Sequence, residues 1–95
     1  MGLLDRLRRK QEDEQARAAR LLSSGRIVEG RILDLAGDNE ATPALIFYSY
    51  TIQGVEYESS QMLNEQQLSN IRNYSPGARV AIRYDPRQPA NSIVV

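Results

Sequence analysis

The chain of 95 residues contains no cysteine, no histidine and no tryptophan. The absence of cysteine excludes disulfides and thiol nucleophiles and favours the cytoplasm, with the protein either free or peripheral at the inner face of the membrane. The absence of histidine removes the commonest acid and base at neutral pH and a frequent ligand of zinc and copper. We therefore expect no catalytic residues, no cofactor and no metal site, and a protein that is not an enzyme.

Long apolar runs are also missing. The longest stretch without a charged residue covers 41–55, which is shorter than the roughly 20 residues that a membrane-spanning helix needs. The N-terminal residues lack the apolar core and the small-residue cleavage site of a secretory signal. The sequence thus predicts neither a membrane span nor a cleaved leader.

The charges balance over the whole chain but not along it. Residues 1–26 carry seven basic and four acidic side chains, whereas residues 27–95 carry five basic and eight acidic ones. An acidic body disfavours nucleic acid, because that interaction depends on concentrated positive charge. Nucleic acid is therefore the least expected of the partners considered below.

Residues 1–24 predict one helix, because they include neither proline nor a β-branched residue and are rich in Leu, Ala, Arg, Glu and Gln. One face is apolar, although Gln11 and Glu14 interrupt it. Gly25 suits a left-handed cap at the end of the helix. The apolar residues of that face are Leu3, Leu4, Leu7, Ala18, Leu21 and Leu22.

The remaining residues alternate between apolar runs and turn signals. Gly30 marks an expected bulge or sharp bend, and Asn64 is the expected N-cap of a helix. In the strand that follows the Gln53-Gly54 turn, Val55 and Tyr57 are expected to face inward. The predicted elements are strands over 26–36, 44–52 and 55–59, a helix over 61–74, and strands over 80–84 and 92–95.

These elements define the expected fold class. It is α+β, with an N-terminal amphipathic helix, or arm, over 1–25 and a small five-stranded antiparallel barrel of the OB/SH3-like kind over 26–95. One short crossover helix joins the third and fourth strands. Five short strands are too few for a sandwich, whereas they suit a barrel.

Several turn and core motifs of residues 27–95 resemble those of a widespread bacterial domain of unknown function. Members of that family end in a hydrophobic strand, a Tyr-Asp-Pro turn and a second proline, and they often lie next to transmembrane helices. The resemblance implies a small β-barrel and carries no catalytic motif. The motifs are Gly30-x-Ile32, Tyr48-x-Tyr50-x-x-x-Gly54-x-x-Tyr57 and Pro76-Gly77-x-x-Val80-x-Ile82-x-Tyr84-Asp85-Pro86-x-x-Pro89.

Few residues could support chemistry. Glu56 and Glu58 share one face of a strand and could act as an acid and base pair, but alternate charges on an exposed hairpin are usually a solvated face. Residues 38–40 contain two acidic side chains, and their spacing matches a polar turn better than a calcium loop. Both features are interpreted as structural.

The arm carries the strongest interaction signal, because it combines an apolar patch with flanking cations. Such a helix can dock on its own barrel, enter the groove of a partner, or lie on an anionic membrane. The candidate contact residues for a partner or a membrane are Leu3, Leu4, Leu7, Arg6, Arg9 and Lys10.

The leading functional hypothesis is a noncatalytic binding or scaffold module. It would act through protein-protein contacts of the N-terminal helix and an exposed strand edge, with an unidentified protein partner or by self-association. The alternative is a peripheral membrane-surface accessory protein. A third hypothesis is that the barrel binds single-stranded nucleic acid through its aromatic residues.

Overall fold

A computed structural model describes residues 3–37 and 44–95, with side chains from residue 13 onward. Within these ranges, no helix combines the length and the apolar character that a membrane span requires. The elements are the helix α1 (Leu3–Ser24), the strands β1 (Arg26–Ala36), β2 (Leu45–Ile52) and β3 (Val55–Met62), the one-turn helix α2 (Glu65–Leu68), a 3-10 turn (Ile71–Tyr74), and the strands β4 (Arg79–Asp85) and β5 (Gln88–Val94).

The five strands form one antiparallel sheet in the order β3-β2-β1-β4-β5. Strand β1 pairs with β4 through residues 26–31 and with β2 through residues 30–36. Its first half is therefore paired mainly with β4 and its second half mainly with β2. This arrangement curls the sheet until its two terminal strands, β3 and β5, approach each other near Gln61 and Val94. The result is a nearly closed barrel preceded by a helix, which confirms the predicted fold class.

The barrel interior is filled by the residues that alternate along β2 and β4. Four side chains are less than 2% exposed: Ile32, Ile46, Tyr48 and Ile82. Val55 shares a face of β3 with Tyr57, but it follows directly after the turn at the end of the hairpin and is 52% exposed, so the expectation that it contributes to the interior is wrong. The full core consists of Ile32, Ala44, Ile46, Tyr48, Tyr50, Leu63, Tyr74, Val80, Ile82 and Val94.

Gly30 lies where β1 is flanked by both neighbouring strands. It is paired with Tyr50 on one side and Val80 on the other, and the register shift falls later, between Ile32 and Asp34. Of the two alternatives predicted at Gly30, a bulge or a sharp bend, the bulge is therefore wrong in position. Gly30 is instead required by close approach: an added Cβ would lie 2.2 Å from Ile82 Cδ1.

Two tight turns follow the expected chemistry. Gln53 and Gly54 have φ angles of 50° and 82°, as in the type I′ turn of a two-residue hairpin. At the second turn, Asp85 Oδ1 accepts a hydrogen bond of 2.8 Å from the Arg87 amide. Strand β5 then begins at Gln88, earlier than predicted, and includes Pro89, which an edge strand tolerates.

The crossover between β3 and β4 consists of two short segments instead of the single helix predicted over 61–74. Strand β3 continues to Met62, and α2 then begins with the expected N-cap. Asn64 Oδ1 accepts from the Gln67 amide at 2.8 Å, while Gln67 Oε1 accepts from the Asn64 amide at 3.0 Å. This reciprocal capping box stabilises a helix of only one turn.

The C-terminal half of α1 docks on the β4–β5 hairpin. Leu21 is buried, and Arg17 Nη1 donates to Asn91 Oδ1 at 2.7 Å and to the Ser92 carbonyl oxygen at 3.1 Å. Arg83 Nη1 donates to the Gly25 carbonyl oxygen at 3.1 Å. Leu22, although predicted on the same apolar face as Leu21, remains 51% exposed.

The end of α1 differs from the predicted left-handed cap. Gly25 is not among the residues with positive φ. Its amide donates to the Leu21 carbonyl oxygen at 2.8 Å, and an added Cβ would lie 2.4 Å from that oxygen. Glycine is required here because the helix passes into β1 with no room for a side chain.

Candidate functional site

The two terminal strands of the sheet meet at a seam that no backbone ladder closes. Gln61 of β3 bridges it: its Nε2 donates to the Val94 carbonyl oxygen at 3.1 Å, and its Oε1 accepts from the Val94 amide at 2.9 Å. Gln67 Nε2 also donates to the Val94 carbonyl oxygen at 3.1 Å. A side-chain amide therefore substitutes for a neighbouring strand at this end of β5.

Further along β5, side chains also occupy its main-chain acceptors. The Tyr50 hydroxyl donates to the Pro89 carbonyl oxygen at 2.6 Å, and the Tyr48 hydroxyl donates to the Ser92 carbonyl oxygen at 3.3 Å. The Ser92 carbonyl oxygen also accepts a hydrogen bond from Arg17 Nη1. Pro89 has no amide hydrogen to donate. The β5 edge is thus capped.

The capping tyrosines belong to a stack that fills the barrel. The ring centroids of Tyr48 and Tyr50 are 5.9 Å apart, and those of Tyr50 and Tyr57 are 5.5 Å apart. Tyr48 and Tyr50 are buried, whereas Tyr57 on β3 is half-buried. The stack therefore runs from the core to the half-buried Tyr57 on β3, and the rings of Tyr48 and Tyr50 are not open to solvent.

Burial raises the pKa of the Tyr50 phenol, the neighbouring Ser92 side chain opposes this shift, and the nearby phenols of Tyr48 and Tyr57 raise the pKa further. A raised pKa in the folded state means that folding favours the protonated phenol. The contribution of Tyr50 to stability is complete below the unfolded pKa of about 10 and is lost as pH rises through the folded value.

We therefore predict that the free energy of unfolding decreases less at alkaline pH in Tyr50→Phe than in the wild type. Urea unfolding at about pH 8 and about pH 11 measures it, and the fall between the two conditions should be smaller in the variant than in the wild type. An equal fall in both proteins would contradict the prediction.

Strand β3 presents the opposite edge of the sheet. In an antiparallel pair of strands, the pairs of opposite residues alternate between hydrogen-bonded and non-hydrogen-bonded pairs. The two residues that flank a two-residue turn form a hydrogen-bonded pair, and here they are Ile52 and Val55. Glu56, Glu58 and Ser60 consequently direct their main-chain groups away from β2. We call these three residues the β3 edge. Among the described residues, no backbone group of another strand pairs with it.

Two of the three side chains of the β3 edge are acidic. Glu56 and Glu58 are both exposed, two residues apart, and therefore on one face of the strand, as expected from the sequence. Neither forms an ion pair with a side chain in the part of the chain that the structure describes.

The structure places the other predicted site residues as follows. The six contact residues of the arm lie in the N-terminal half of α1, and their side chains are outside the described residues, as are residues 38–40. Within 13–37 and 44–95, no group of three acidic side chains could hold a metal ion. Sequence reasoning missed the bridging role of Gln61, because this residue was assigned to a helix.

The fold and the site define a class: a small, nearly closed antiparallel barrel with an N-terminal helix, in which side chains cap one edge strand and no described strand pairs with the other. Residues 23–95 match the model of the family described as domain of unknown function (DUF3592). The chain therefore belongs to this family, in agreement with the resemblance in its turn and core motifs. Neither the curated proteins nor the solved structures include a significant match.

Proposed function

We propose that the protein is a noncatalytic binding module that holds a protein partner through the β3 edge and the N-terminal helix. The observation that supports this proposal is the difference between the two terminal strands. Side chains cap β5 at Pro89, Ser92 and Val94, whereas the main-chain groups of the β3 edge point outward with no neighbouring strand among residues 3–37 and 44–95. An open edge of this kind can accept a strand from another chain.

The docked half of α1 supports the second part of the proposal. Arg17 and Leu21 hold this half on β4 and β5, so the N-terminal half of α1 extends from a segment that is docked on the barrel. We propose that the apolar patch at Leu3, Leu4 and Leu7, with its flanking cations, provides the second contact with the partner. We also propose that this takes place in the cytoplasm.

Proline at position 58 tests the proposal. The Glu58 amide points away from β2, so Glu58→Pro retains the β2–β3 ladder, while the proline removes a donor and blocks an entering strand. We expect cross-linking capture from extracts of the source cells to recover a partner with the wild type and with the matched control Glu58→Ala. Capture should fall at least about tenfold with Glu58→Pro, since the strand contact supplies main-chain hydrogen bonds. Circular dichroism should show that all three proteins are folded.

Other outcomes would contradict the proposal. Equal capture by Glu58→Pro and Glu58→Ala, together with equal capture by a variant lacking residues 1–12, would exclude both contacts. Retention of the wild type by anionic vesicles, abolished by Leu3→Asp with Leu7→Asp, would favour the peripheral membrane alternative. Binding of single-stranded nucleic acid that falls steeply with salt would favour the third hypothesis.

A further inference from the structure

We infer that the β3 edge selects a short basic segment of its partner, bound as an added antiparallel strand. The segment carries lysine or arginine opposite Glu56 and Glu58 and an apolar residue opposite Tyr57. This inference rests on the proposed function, because it specifies the partner of the same edge.

The charge of the partner strand follows from strand geometry. Residues directly opposite each other in an antiparallel pair project to the same face of the sheet and contact each other. Both glutamates are exposed, and they would each face one residue of the added strand on its outer side. Opposite charges stabilise such pairs and like charges destabilise them, so two alternate cations complement this edge.

The apolar residue follows from the other face of β3. Tyr57 is the half-buried end of the tyrosine stack, and Val55 on the same face is 52% exposed. A residue of the added strand opposite Tyr57 would project to this inner face and cover the exposed part of the ring. Burial of apolar surface favours an aliphatic or aromatic side chain at that position.

The length of the segment is limited by the seam. At Gln61 the edge is already joined to Val94, so the open part of β3 ends at Ser60. The added strand therefore pairs with residues 56–60 only. A contact this short explains why a second contact through the helix would be needed for stable binding.

The same charges disfavour a second copy of this chain as the occupant. In a symmetric antiparallel pair of β3 strands centred on Tyr57, Glu56 lies opposite Glu58 of the other copy. In a pair centred on Glu58, the two Glu58 side chains lie opposite each other. Both of these registers bring like charges together, which destabilises the pair, and a pair centred on Ser59 avoids this only by leaving Glu56 without a partner inside the open segment 56–60. The partner is therefore a different protein with alternate basic residues.

The test uses a cyclised β-hairpin peptide whose outer strand alternates lysine with valine, because a preorganised strand reduces the ordering cost of binding. Its matched controls are the same hairpin with glutamate in place of lysine and one of equal composition with the lysines grouped together. We expect the alternating lysine hairpin to shift the amide resonances of residues 55–60 selectively. Its affinity should fall about tenfold or more with Glu56→Lys and Glu58→Lys combined, as two favourable pairs become repulsive. The charge-reversed variant should instead prefer the glutamate hairpin.

Several results would overturn the inference. One is equal binding of the alternating lysine hairpin and the glutamate hairpin. Another is equal binding of the alternating and the grouped-lysine hairpins. A third is a dimer of the wild type that dissociates in Glu58→Pro. If no lysine hairpin binds but Glu58→Pro still abolishes capture of a cellular partner, the proposed function stands and the basic segment is wrong. If the lysine hairpin binds at 55–60 while Glu58→Pro leaves capture unchanged, the edge prefers basic strands but the proposed function is wrong.

Discussion

Gly30→Ala is expected to lower the free energy of unfolding by about 3 kcal/mol, at the upper end of the usual cost of overpacking a core. The added methyl group would lie 2.2 Å from Ile82 Cδ1 and 2.5 Å from the Ser49 carbonyl oxygen. The isoleucine methyl group can rotate away, but the carbonyl belongs to the backbone of β2, which is paired with β1. The clash can be relieved only by displacing β1 or β2.

Urea unfolding followed by circular dichroism measures this loss. Gly54→Ala is the matched control, since that glycine has a φ of 82° but no atom within 4 Å of an added Cβ. Backbone strain alone should cost the control only about 1 kcal/mol. Adding Ile82→Val to Gly30→Ala should restore a minor part of the stability, because the contact with Ser49 remains. Equal losses of stability in Gly30→Ala and Gly54→Ala would show that the close approach of Ser49 and Ile82 is not the reason for a glycine at position 30.

Gln61→Leu is expected to lower the free energy of unfolding by about 2 kcal/mol, within the range for leaving a buried polar group without its partner. The substitution keeps a side chain of similar size but removes the acceptor of the Val94 amide, a residue that is 3% exposed. The Val94 carbonyl oxygen retains its bond from Gln67. The cost therefore comes mainly from the unpaired amide and from the loss of the only side chain that joins β3 directly to β5 in the described structure.

Hydrogen exchange at the Val94 amide provides a local measurement. Exchange should accelerate in Gln61→Leu and remain slow in the control Gln66→Leu, whose residue is exposed on α2. Gln61→Glu should fall between them, because a carboxylate accepts from the Val94 amide but cannot donate to the Val94 carbonyl oxygen. Equal stability of Gln61→Leu and Gln66→Leu would mean that the seam contributes little to the closure of the barrel.

The parts of the fold that could be predicted from sequence depend on local patterns. Alternation identified β2 and β4 because each strand buries one face, so Ile46 and Ile82 follow a period of two. The Gln53-Gly54 turn and the Asn64 cap involve residues no more than three apart, and both are confirmed. Local chemistry is sufficient for such features, since all of the interacting atoms are close together along the chain.

The remaining features depend on contacts between distant residues. Gln61 bridges to Val94, which is 33 residues away, and nothing in the neighbours of a glutamine indicates such a partner. Gly30 resembles a bulge signal in the sequence, but the atoms that exclude a side chain there belong to Ser49 and Ile82. The open β3 edge could be expected as a general property of a five-stranded sheet. The sequence does not indicate which of the two edges is open, because the capping of β5 depends on hydrogen bonds from the distant hydroxyls of Tyr48 and Tyr50.

The unequal edges of the sheet limit how many strands the protein can recruit. Sheet growth into fibres requires that each newly joined molecule offer a second template, so that addition can repeat. Here the acceptor groups of β5 are occupied by Tyr48, Tyr50 and Gln61. If β3 receives a strand as proposed, a molecule that has done so has no comparable position for the next one. The barrel would then be monovalent, and it would terminate polymerisation where a sheet with two open sides would propagate it.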